Sequence, residues 1–455
     1  SGCIKIENLF PTNASRACPE IVYPKRVMYK IFQMLFLIVV SMQSIASQTN
    51  THYFDFGRKA THADATFIAT ALPYTSASGY GFDLGTAYRV AMQEEGFKAT
   101  MPVYFSVDLP EGNYKVTVTL SGKNTEMTVK AESKRLFLAQ ERIASSKAAI
   151  QTFTLSLFNK TIEPGYDVGL KERELAKLDW DKKLTLEFLG SSTIQAIKIE
   201  PVNQTKTLFL AGDSTVTNQD VEPWASWGQF ITAYLNEEIA VANQASSGAS
   251  LASFRSSRID KILSQLKEGD FVVIEFGHND EKVKGDGAGA YGLYTSIMTD
   301  FIKRIKEKGG TPILITPTQR RAFDGKKLKP THGEFPDAMR KVAQNEAVAL
   351  IDLTKMTTKM YEAWGPQLSR KAFVQYAANI FPGQREALED NTHFSNFGAN
   401  EVALAILSGL RKSDSELKNY IANDAPSYDP DKPNLPESYT LPYSSLFESL
   451  KPDGN

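Results

Sequence analysis

The sequence predicts two consecutive folds, an all-β region followed by an α/β region built on a parallel sheet. From about residue 50 to 203, short runs alternate between apolar and polar residues, which is the period of half-buried strands. From residue 205 onward, the pattern changes to apolar strands that alternate with helices. Continuously apolar strands of this kind indicate a parallel sheet covered on both faces. A chain of 455 residues is long enough to form both cores.

The first residues of the chain differ from the rest and resemble a targeting segment. A start at Met28 would be followed by the apolar run 31–40, which is shorter than the roughly 20 residues that a membrane-spanning helix needs. Small residues at 44–46 then offer a cleavage site, so the pattern is typical of a secretory signal peptide, with a buried core helix as the alternative. We assign 1–47 to an upstream extension and signal peptide. We expect a secreted or periplasmic mature protein without a membrane span.

Segment 50–203 is expected to be a β-sandwich. Residues 114–120 alternate strictly and are rich in Val and Thr, and residues 184–190 repeat the same period. Many short strands with Gly-rich turns predict a sandwich of the jelly-roll, galactose-binding-like type. Aromatic residues stand beside glycines at 54–57 and 79–82. They form either a sugar-stacking platform or part of the core, and we favour the core.

The α/β region is expected to span 205–411. Apolar residues recur at i, i+3, i+4 and i+7 in 259–266 and continue with helical spacing in 294–305, which predicts two helices. The remaining segment, 412–455, is rich in Pro, Asp, Ser and Tyr, so we expect a C-terminal extension that wraps over the surface or runs as a tail. The predicted strands of the sheet are 208–210, 239–242, 271–276, 312–316 and 348–351.

The charge balance of the chain excludes one class of partner. The 51 Lys and Arg residues nearly equal the 52 Asp and Glu residues, which gives a formal net charge of −1. A nucleic-acid-binding protein normally carries a basic excess, so we expect no nucleic-acid partner. The sequence has no cluster of Cys or His with metal-ligand spacing, so we expect no metal, and the chemistry below needs no other cofactor.

Three polar motifs are placed where an active site is expected. The first, Gly-Asp-Ser at 212–214, directly follows an apolar run. It therefore presents one hydroxyl at the carboxyl edge of the sheet, where α/β proteins bind their ligands. The second, Gly-His-Asn-Asp at 277–280, follows another apolar run, and the third, Asp-Asn-Thr-His at 390–393, stands near the end of the region. Together they supply a nucleophile, an amide donor, a base and a carboxylate.

The residue types of these motifs suit nucleophilic catalysis. A serine hydroxyl is a poor nucleophile until a base takes its proton, so we predict Ser214 as the nucleophile and His393 as the base. Asp390 lies three residues before His393, and its carboxylate can fix the imidazole tautomer. Ser395 is expected to cap the following helix and so hold the histidine in place.

An oxyanion needs donors that are already in position. The backbone N–H of Ser214, the glycine Gly248 after the second strand and the side-chain amide of Asn279 are the predicted donors. The alternatives are that Gly248 serves only a turn and that Asn279 caps a loop.

The order of these blocks resembles the SGNH (GDSL-like) hydrolase family over about residues 205–411. The rhamnogalacturonan acetylesterases are the nearest subgroup, since their blocks read Gly-Asp-Ser-Thr, as in 212–215, and Gly-His-Asn-Asp, as in 277–280. The resemblance implies a flavodoxin-like parallel sheet, a catalytic Ser214 with Asp390 and His393, and an oxyanion hole of Ser214, Gly248 and Asn279. The all-β region has no counterpart in the simplest members.

The resemblance also implies a substrate. It indicates a carbohydrate esterase that removes acetyl groups from a pectic polysaccharide by a Ser-His-Asp mechanism, so the expected partner is an acetylated polysaccharide. An acetylxylan esterase, or another SGNH esterase or lipase, is the alternative enzyme. A carbohydrate-binding protein with a decayed site is the alternative of another class, and the presence of every motif residue weighs against it.

Four further residues are candidates for contact with the substrate. His278 lies inside the second motif and is expected to order the site or touch the substrate, and His332 is expected to be structural or close to the substrate. Arg320 and Arg321 follow the fourth predicted strand, at the same edge as Ser214. Guanidinium groups match carboxylates, so the pair is predicted to hold a galacturonate beside the acetylated sugar. The alternative is an exposed pair of loop arginines.

Overall fold

The computed structural model describes residues 50–145 and 147–454. The predicted signal peptide and the upstream extension lie outside the described residues. The residues from Asn50 onward pack as one unit, and the proposed boundary between two domains near residue 204 stays a prediction. Among the described residues, no helix combines the length and apolar character needed to cross a membrane.

The first half of this unit is built mainly of strands, with three short 3-10 turns between them in the part of the chain that the structure describes. The strands are β1 His52–Phe56, β2 Thr66–Ile68, β3 Tyr80–Asp83, β4 Val90–Met92, β5 Phe97–Ala99, β6 Val103–Asp108, β7 Gly112–Ser121, β8 Thr125–Ala131, β9 Arg135–Ile143, β10 Ala149–Leu157, β11 Thr161–Glu163, β12 Tyr166–Asp167, β13 Lys183–Gly190 and β14 Thr193–Pro201. One sheet has the order β10-β7-β14-β1-β2, with β5 and β4 attached at β14, and a second has the order β3-β6-β13-β8-β9. All pairs except β1–β2 are antiparallel.

The two sheets share one apolar core. Phe54 and Phe56 of β1, Phe82 of β3 and Phe105 of β6 are buried, and their ring centroids lie 5.0–6.2 Å from those of neighbouring rings. Aromatic pairs at these distances stabilise a core beyond the area they bury. Of the aromatic residues beside the glycines, Phe54, Phe56 and Phe82 are therefore core residues, as favoured above, and Tyr80 packs against the core while partly exposed. The jelly-roll type of this β region stays a prediction.

The second half is the α/β region. Its elements are β15 Lys206–Gly212, α1 Trp227–Phe230, β16 Ile239–Asn243, α2 Leu251–Ser257, α3 Ile259–Gln265, β17 Phe271–Glu275, α4 Thr295–Glu307, β18 Thr311–Ile315, β19 Phe323–Asp324, β20 Lys327–Leu328, α5 Phe335–Glu346, β21 Ala349–Ile351, α6 Leu353–Leu368, β22 Phe373–Tyr376, β23 Leu388–Phe394 and α7 Asn396–Lys412. All five predicted strands and both predicted helices are confirmed, with ends shifted by a few residues.

The main sheet of this region is parallel throughout, with the order β16-β15-β17-β18-β21. This is the strand order of a flavodoxin-like sheet, as the resemblance implies. Both faces are buried, since Leu208 and Leu210 of β15 join one core while Phe209 and Ala211 join the other. The chain leaves β15 toward β16 on one side and reaches β17 on the other, so a crevice opens at the carboxyl end of β15.

After α7 the chain follows an extended course back across the molecule. The short 3-10 turns Glu416–Tyr420 and Pro436–Ser438 are its regular elements within the described residues. Trp364 donates a hydrogen bond to the carbonyl of Asn434 over 2.8 Å, and Lys130 donates to that of Pro442 over 3.2 Å. The extension therefore contacts both the α/β region and the β region.

Candidate active site

The turn after β15 holds Ser214 at the edge of the sheet. A Cβ atom at Gly212 would lie 2.4 Å from Cγ2 of Val216, so glycine alone fits where the strand ends. One carboxylate oxygen of Asp213 accepts hydrogen bonds from the backbone N–H and the hydroxyl of Thr215, each over 2.9 Å. These bonds fix the turn, and with it the backbone that carries the Ser214 hydroxyl.

Three predicted residues from distant parts of the sequence meet at this turn. Nε2 of His393 lies 2.9 Å from Oγ of Ser214, and Nδ1 of His393 lies 2.9 Å from Oδ2 of Asp390. The other oxygen of Asp390 accepts from the backbone N–H groups of Thr392 and His393 over 2.7 and 2.8 Å. An alcohol, an imidazole and a carboxylate therefore form one continuous hydrogen-bonded chain.

Electrostatics fix the protonation state of this chain. Burial alone would raise the pKa of Asp390, but the hydrogen bonds and charge of His393, with the backbone N–H groups, lower that pKa from 3.8 to about 2. The carboxylate is therefore ionised and accepts the proton on Nδ1 of the imidazole. This leaves the lone pair of Nε2 facing the Ser214 hydroxyl, as a general base requires.

The segment that carries Asp390 and His393 is held from both sides. β23 supplies Asp390 and His393, and α7 begins two residues after the end of β23. The Ser395 side chain accepts a hydrogen bond from the backbone N–H of Gly398 over 3.2 Å, which confirms it as the helix cap. The backbone N–H of Arg321 donates to the carbonyl of Asn391 over 2.8 Å and ties the same segment to the loop after β18.

Two of the predicted oxyanion donors, Gly248 and Asn279, belong to loops that are hydrogen-bonded to each other. The backbone N–H of Ser246 donates to the carbonyl of Gly212 over 3.0 Å, which brings the loop after β16 beside the serine turn. Gly248 in this loop has a φ of 75°, a conformation that favours glycine. Nδ2 of Asn279 donates to the carbonyl of Ala249 over 3.1 Å, so the Asn279 side chain and the Gly248 loop are joined directly.

Comparison with known proteins decides the family. The GDSL-like Lipase/Acylhydrolase family matches residues 210–398, which include all three motifs. Rhamnogalacturonan acetylesterase RhgT of Bacillus subtilis (strain 168) is 39% identical over 220 residues, which are 48% of this chain and 94% of that protein. This chain belongs to the GDSL-like lipase/acylhydrolase family. It is an enzyme, a serine hydrolase that acts on carboxylic esters.

Two further relatives come from the same bacterium, Bacillus subtilis (strain 168). The probable rhamnogalacturonan acetylesterase YesY is 32% identical over 212 residues, which are 45% of this chain and 92% of that protein. The uncharacterized esterase YxiM is 26% identical over 367 residues, which are 75% of this chain and 90% of that protein. The match to YxiM is longer than the α/β region and so includes part of the β region.

Behind the serine turn of this esterase lies a buried polar network. Nδ1 of His278 is 3.3 Å from Oδ2 of Asp213, and its ring packs edge-on against His332 with centroids 4.5 Å apart. His278 is only 1% exposed, so this structure supports the prediction that it orders the site. His332 is held by a contact of 2.7 Å between its Nε2 and the carbonyl of Thr318. Contact of either histidine with substrate stays a prediction.

Sequence reasoning missed one member of this network, Glu275. Its carboxylate accepts a hydrogen bond from Nε1 of Trp227 over 2.5 Å, and burial together with the charge of Asp213 raises its pKa to about 8. Burial also acts to raise the pKa of Asp213, but His278 and the hydrogen bonds from Thr215 together more than offset burial, so the pKa of Asp213 is lowered. Asp213 is therefore the charged carboxylate and Glu275 the protonated one at neutral pH. The sequence signal that could have identified Glu275 is its position as the one charged residue of the otherwise apolar strand β17.

Both loop arginines have partners within the protein. Arg320 donates to the carboxylate of Glu281 over 2.5 Å and to the carbonyl of His278 over 3.0 Å. Arg321 donates to the hydroxyl of Ser369 over 3.1 Å and also to the neighbouring side chain of Asn391. Neither guanidinium is an open fork in this structure. The carboxylate-binding role of the pair stays a prediction. Through these contacts, Arg320 holds the second motif in position and Arg321 holds the segment that precedes His393.

Proposed function

We propose that this esterase removes acetyl groups from a pectic polysaccharide, with Ser214, His393 and Asp390 as its catalytic residues. The observation that carries the proposal is the 39% identity to an enzyme named rhamnogalacturonan acetylesterase, across the part of the chain that holds the three motifs. A second relative bears the same name as a probable assignment. The hydrogen-bonded chain from Ser214 to Asp390 supports the mechanism, because its distances suit proton transfer.

The proposed first half-reaction forms an acetyl-enzyme. Oγ of Ser214 attacks the acetyl carbonyl while Nε2 of His393 takes the hydroxyl proton. The carbonyl oxygen becomes an oxyanion and accepts hydrogen bonds from the N–H groups of Ser214 and Gly248 and from the amide of Asn279. The bond to the sugar oxygen then breaks, and this oxygen leaves as a hydroxyl with the proton from His393.

The second half-reaction returns the enzyme to its starting state. A water molecule takes the place of the sugar and gives a proton to His393 as its oxygen attacks the acetyl carbon. Collapse of the second tetrahedral intermediate releases acetate, and Ser214 regains the proton. Throughout, ionised Asp390 stabilises the imidazolium and keeps its proton on Nδ1 toward the carboxylate.

We further propose that the enzyme acts outside the cytoplasm, in the periplasm or as a secreted protein. The signal-peptide pattern of the first residues supports this placement. A pectic polymer is too large to enter a cell, so an extracellular enzyme is consistent with this substrate.

We also propose that the β region is a jelly-roll of the galactose-binding-like type, which its two facing sheets support.

The test is acetate release from acetylated pectic fractions and acetylated xylan by the wild type and by Ser214→Ala. We expect release from the pectic fractions, and a loss of at least a thousandfold in the variant, because the nucleophile is gone. A fluorophosphonate should label the wild type at Ser214, which a sugar-binding protein with a decayed site would not permit. Release from xylan alone would refute the pectic assignment, and full activity of the variant would refute the mechanism.

A further inference from the structure

The segment 448–454 of the C-terminal extension crosses the mouth of the active site. Nζ of Lys451 lies 3.3 Å from Oδ2 of Asp390, at one end of the catalytic chain. At the other end, a Cβ atom on Gly454 would lie 2.9 Å from the Cα atom of Gly248, the predicted oxyanion donor. The segment therefore runs from the catalytic carboxylate to the predicted oxyanion hole.

The reacting groups beside this segment are buried. Ser214 is 2% exposed and His393 is 1% exposed, so a polysaccharide chain cannot reach the hydroxyl in this conformation. Polar contacts hold it there: Lys282 donates to the carbonyl of Gly454, and Arg173 donates to that of Lys451 over 2.8 Å. Polar contacts at a surface can be replaced by the polar groups of a ligand at small net cost.

One side chain of the segment, Asp453, lies between two cations of the preceding β region. Nη1 of Arg173 lies 3.3 Å from one carboxylate oxygen of Asp453, and Nζ of Lys171 lies 3.7 Å from the other. Lys171 also donates to the carbonyl of Ser247, and a Cβ atom on Gly248 would lie 3.1 Å from Cβ of Asp453. A carboxylate is thus bound directly beside the predicted oxyanion donor. All three charged side chains are partly exposed, so another carboxylate has access to the same cations.

We propose that Lys171 and Arg173 form a binding subsite for a uronate carboxylate of the polysaccharide, and that Asp453 occupies this subsite until the substrate displaces the segment. The inference rests on the proposed function, since pectic polymers carry galacturonate carboxylates beside the acetylated sugars. Both cations precede β13 and belong to the part of the chain before the α/β region. The β region therefore contributes directly to substrate recognition at the catalytic mouth.

Removing the two cations and removing the Asp453 carboxylate should change the hydrolysis of an acidic polymer in opposite directions. In the double variant Lys171→Met with Arg173→Gln, we expect kcat/KM on an acetylated pectic polymer to fall about tenfold relative to kcat/KM on neutral 4-nitrophenyl acetate. This fall corresponds to about 1.4 kcal/mol. In Asp453→Asn, we expect KM for the acidic polymer to decrease about threefold, because the competing carboxylate is gone. If the ion pair were only structural, the cation variants and Asp453→Asn would both impair hydrolysis of the acidic polymer.

The matched control is Lys160→Met, which breaks the exposed 3.0 Å pair of Lys160 with Asp167 and should leave both rates unchanged. Arg173→Gln alone provides the same test if the double variant folds poorly. An unchanged ratio of acidic to neutral rates in the cation variants would overturn the inference, and so would a higher KM in Asp453→Asn.

A second measurement separates this inference from the proposed function. Non-acetylated galacturonate oligomers should inhibit hydrolysis of 4-nitrophenyl acetate by the wild type, and about tenfold more oligomer should be needed for the double variant. Neutral xylo-oligomers should not inhibit either protein. If the wild type releases no acetate from pectic polymers, the proposed function fails, while selective inhibition by galacturonate still supports the subsite. Equal inhibition of both proteins by galacturonate would refute the subsite.

Discussion

Asp390 determines which nitrogen of His393 is free to act. Its ionised carboxylate accepts the Nδ1 proton over 2.9 Å, and two backbone N–H groups hold its second oxygen. Orientation of this kind is worth more to catalysis than to stability, because a reversed tautomer presents an N–H, not a lone pair, to Ser214.

Asp390→Asn tests this role at the scale of one residue. We expect kcat on 4-nitrophenyl acetate to fall by roughly 10³- to 10⁴-fold, with a small change in KM, because the introduced amide donates to Nδ1 and leaves the proton on Nε2. Asp300→Asn, a change on the outer face of α4, is the control and should keep full activity. A loss of less than tenfold would contradict the assignment of Asp390.

The pH dependence follows from the same carboxylate. Its pKa in the folded protein is about 2, below the ordinary value of 3.8. The sign is that of a depressed pKa, so the stabilisation from Asp390 is complete above about pH 4 and is lost as the pH falls through 2. The contribution of Asp390 to the stability difference between wild type and Asp390→Asn should therefore be lost in strong acid, as the pH falls from about 4 through 2, and thermal unfolding at each pH can measure this.

At the scale of elements, α7 positions the proposed base, His393. Its cap, Ser395, accepts from the Gly398 N–H and also donates to the carbonyl of Lys371 over 2.7 Å, so one side chain joins the helix end to the preceding turn. His393 lies two residues before this cap. A loose helix end therefore widens the range of positions that the imidazole can take.

Ser395→Ala should reduce both stability and rate. We expect a loss of about 1 kcal/mol in the free energy of unfolding, the usual cost of a lost cap. We also expect kcat to fall about three- to tenfold, because the imidazole is less well positioned. Ser415→Ala removes the cap of the turn Glu416–Tyr420, which follows the opposite end of α7 from His393, and should lower stability without lowering kcat. Equal effects of the two variants on kcat would contradict the positioning role of Ser395.

The strands and motifs were predictable because each leaves a local signal. The run that became β15 is apolar throughout, since both its faces are buried, and Gly212 marks its end. Contacts between remote residues leave no such signal: Arg173 and Asp453 are 280 positions apart, and no periodicity connects them. The internal partners of Arg320 and Arg321 were missed for the same reason, because a side-chain pair depends on the path of several loops.

At the scale of the whole molecule, three parts of the chain meet at Glu222. Its carboxylate lies 3.1 Å from Nζ of Lys134 and 3.7 Å from Nζ of Lys130, both from the β region. It also accepts from Nδ2 of Asn396, the first residue of α7, over 3.2 Å and from the backbone N–H of Ser444 over 2.9 Å. Burial alone would raise the pKa of Glu222, but the two lysines and the Ser444 N–H together lower the pKa by more than burial raises it. The pKa therefore lies below its ordinary value, and the group stays ionised.

Glu222→Gln should therefore destabilise the whole assembly of these parts. The variant leaves two buried ammonium groups without a counter-charge, and breaking a buried ion pair in this way costs about 3 kcal/mol of unfolding free energy. Urea denaturation measures this loss, and Glu95→Gln, in the exposed pair with Lys59, should change stability by less than about 0.5 kcal/mol. Adding Lys134→Met to Glu222→Gln should restore part of the loss, because it removes one uncompensated charge. If Glu222→Gln and Glu95→Gln changed the free energy of unfolding by equally small amounts, the buried cluster would contribute nothing to stability. Packing between the sheets and helices alone would then hold the β region against the α/β region.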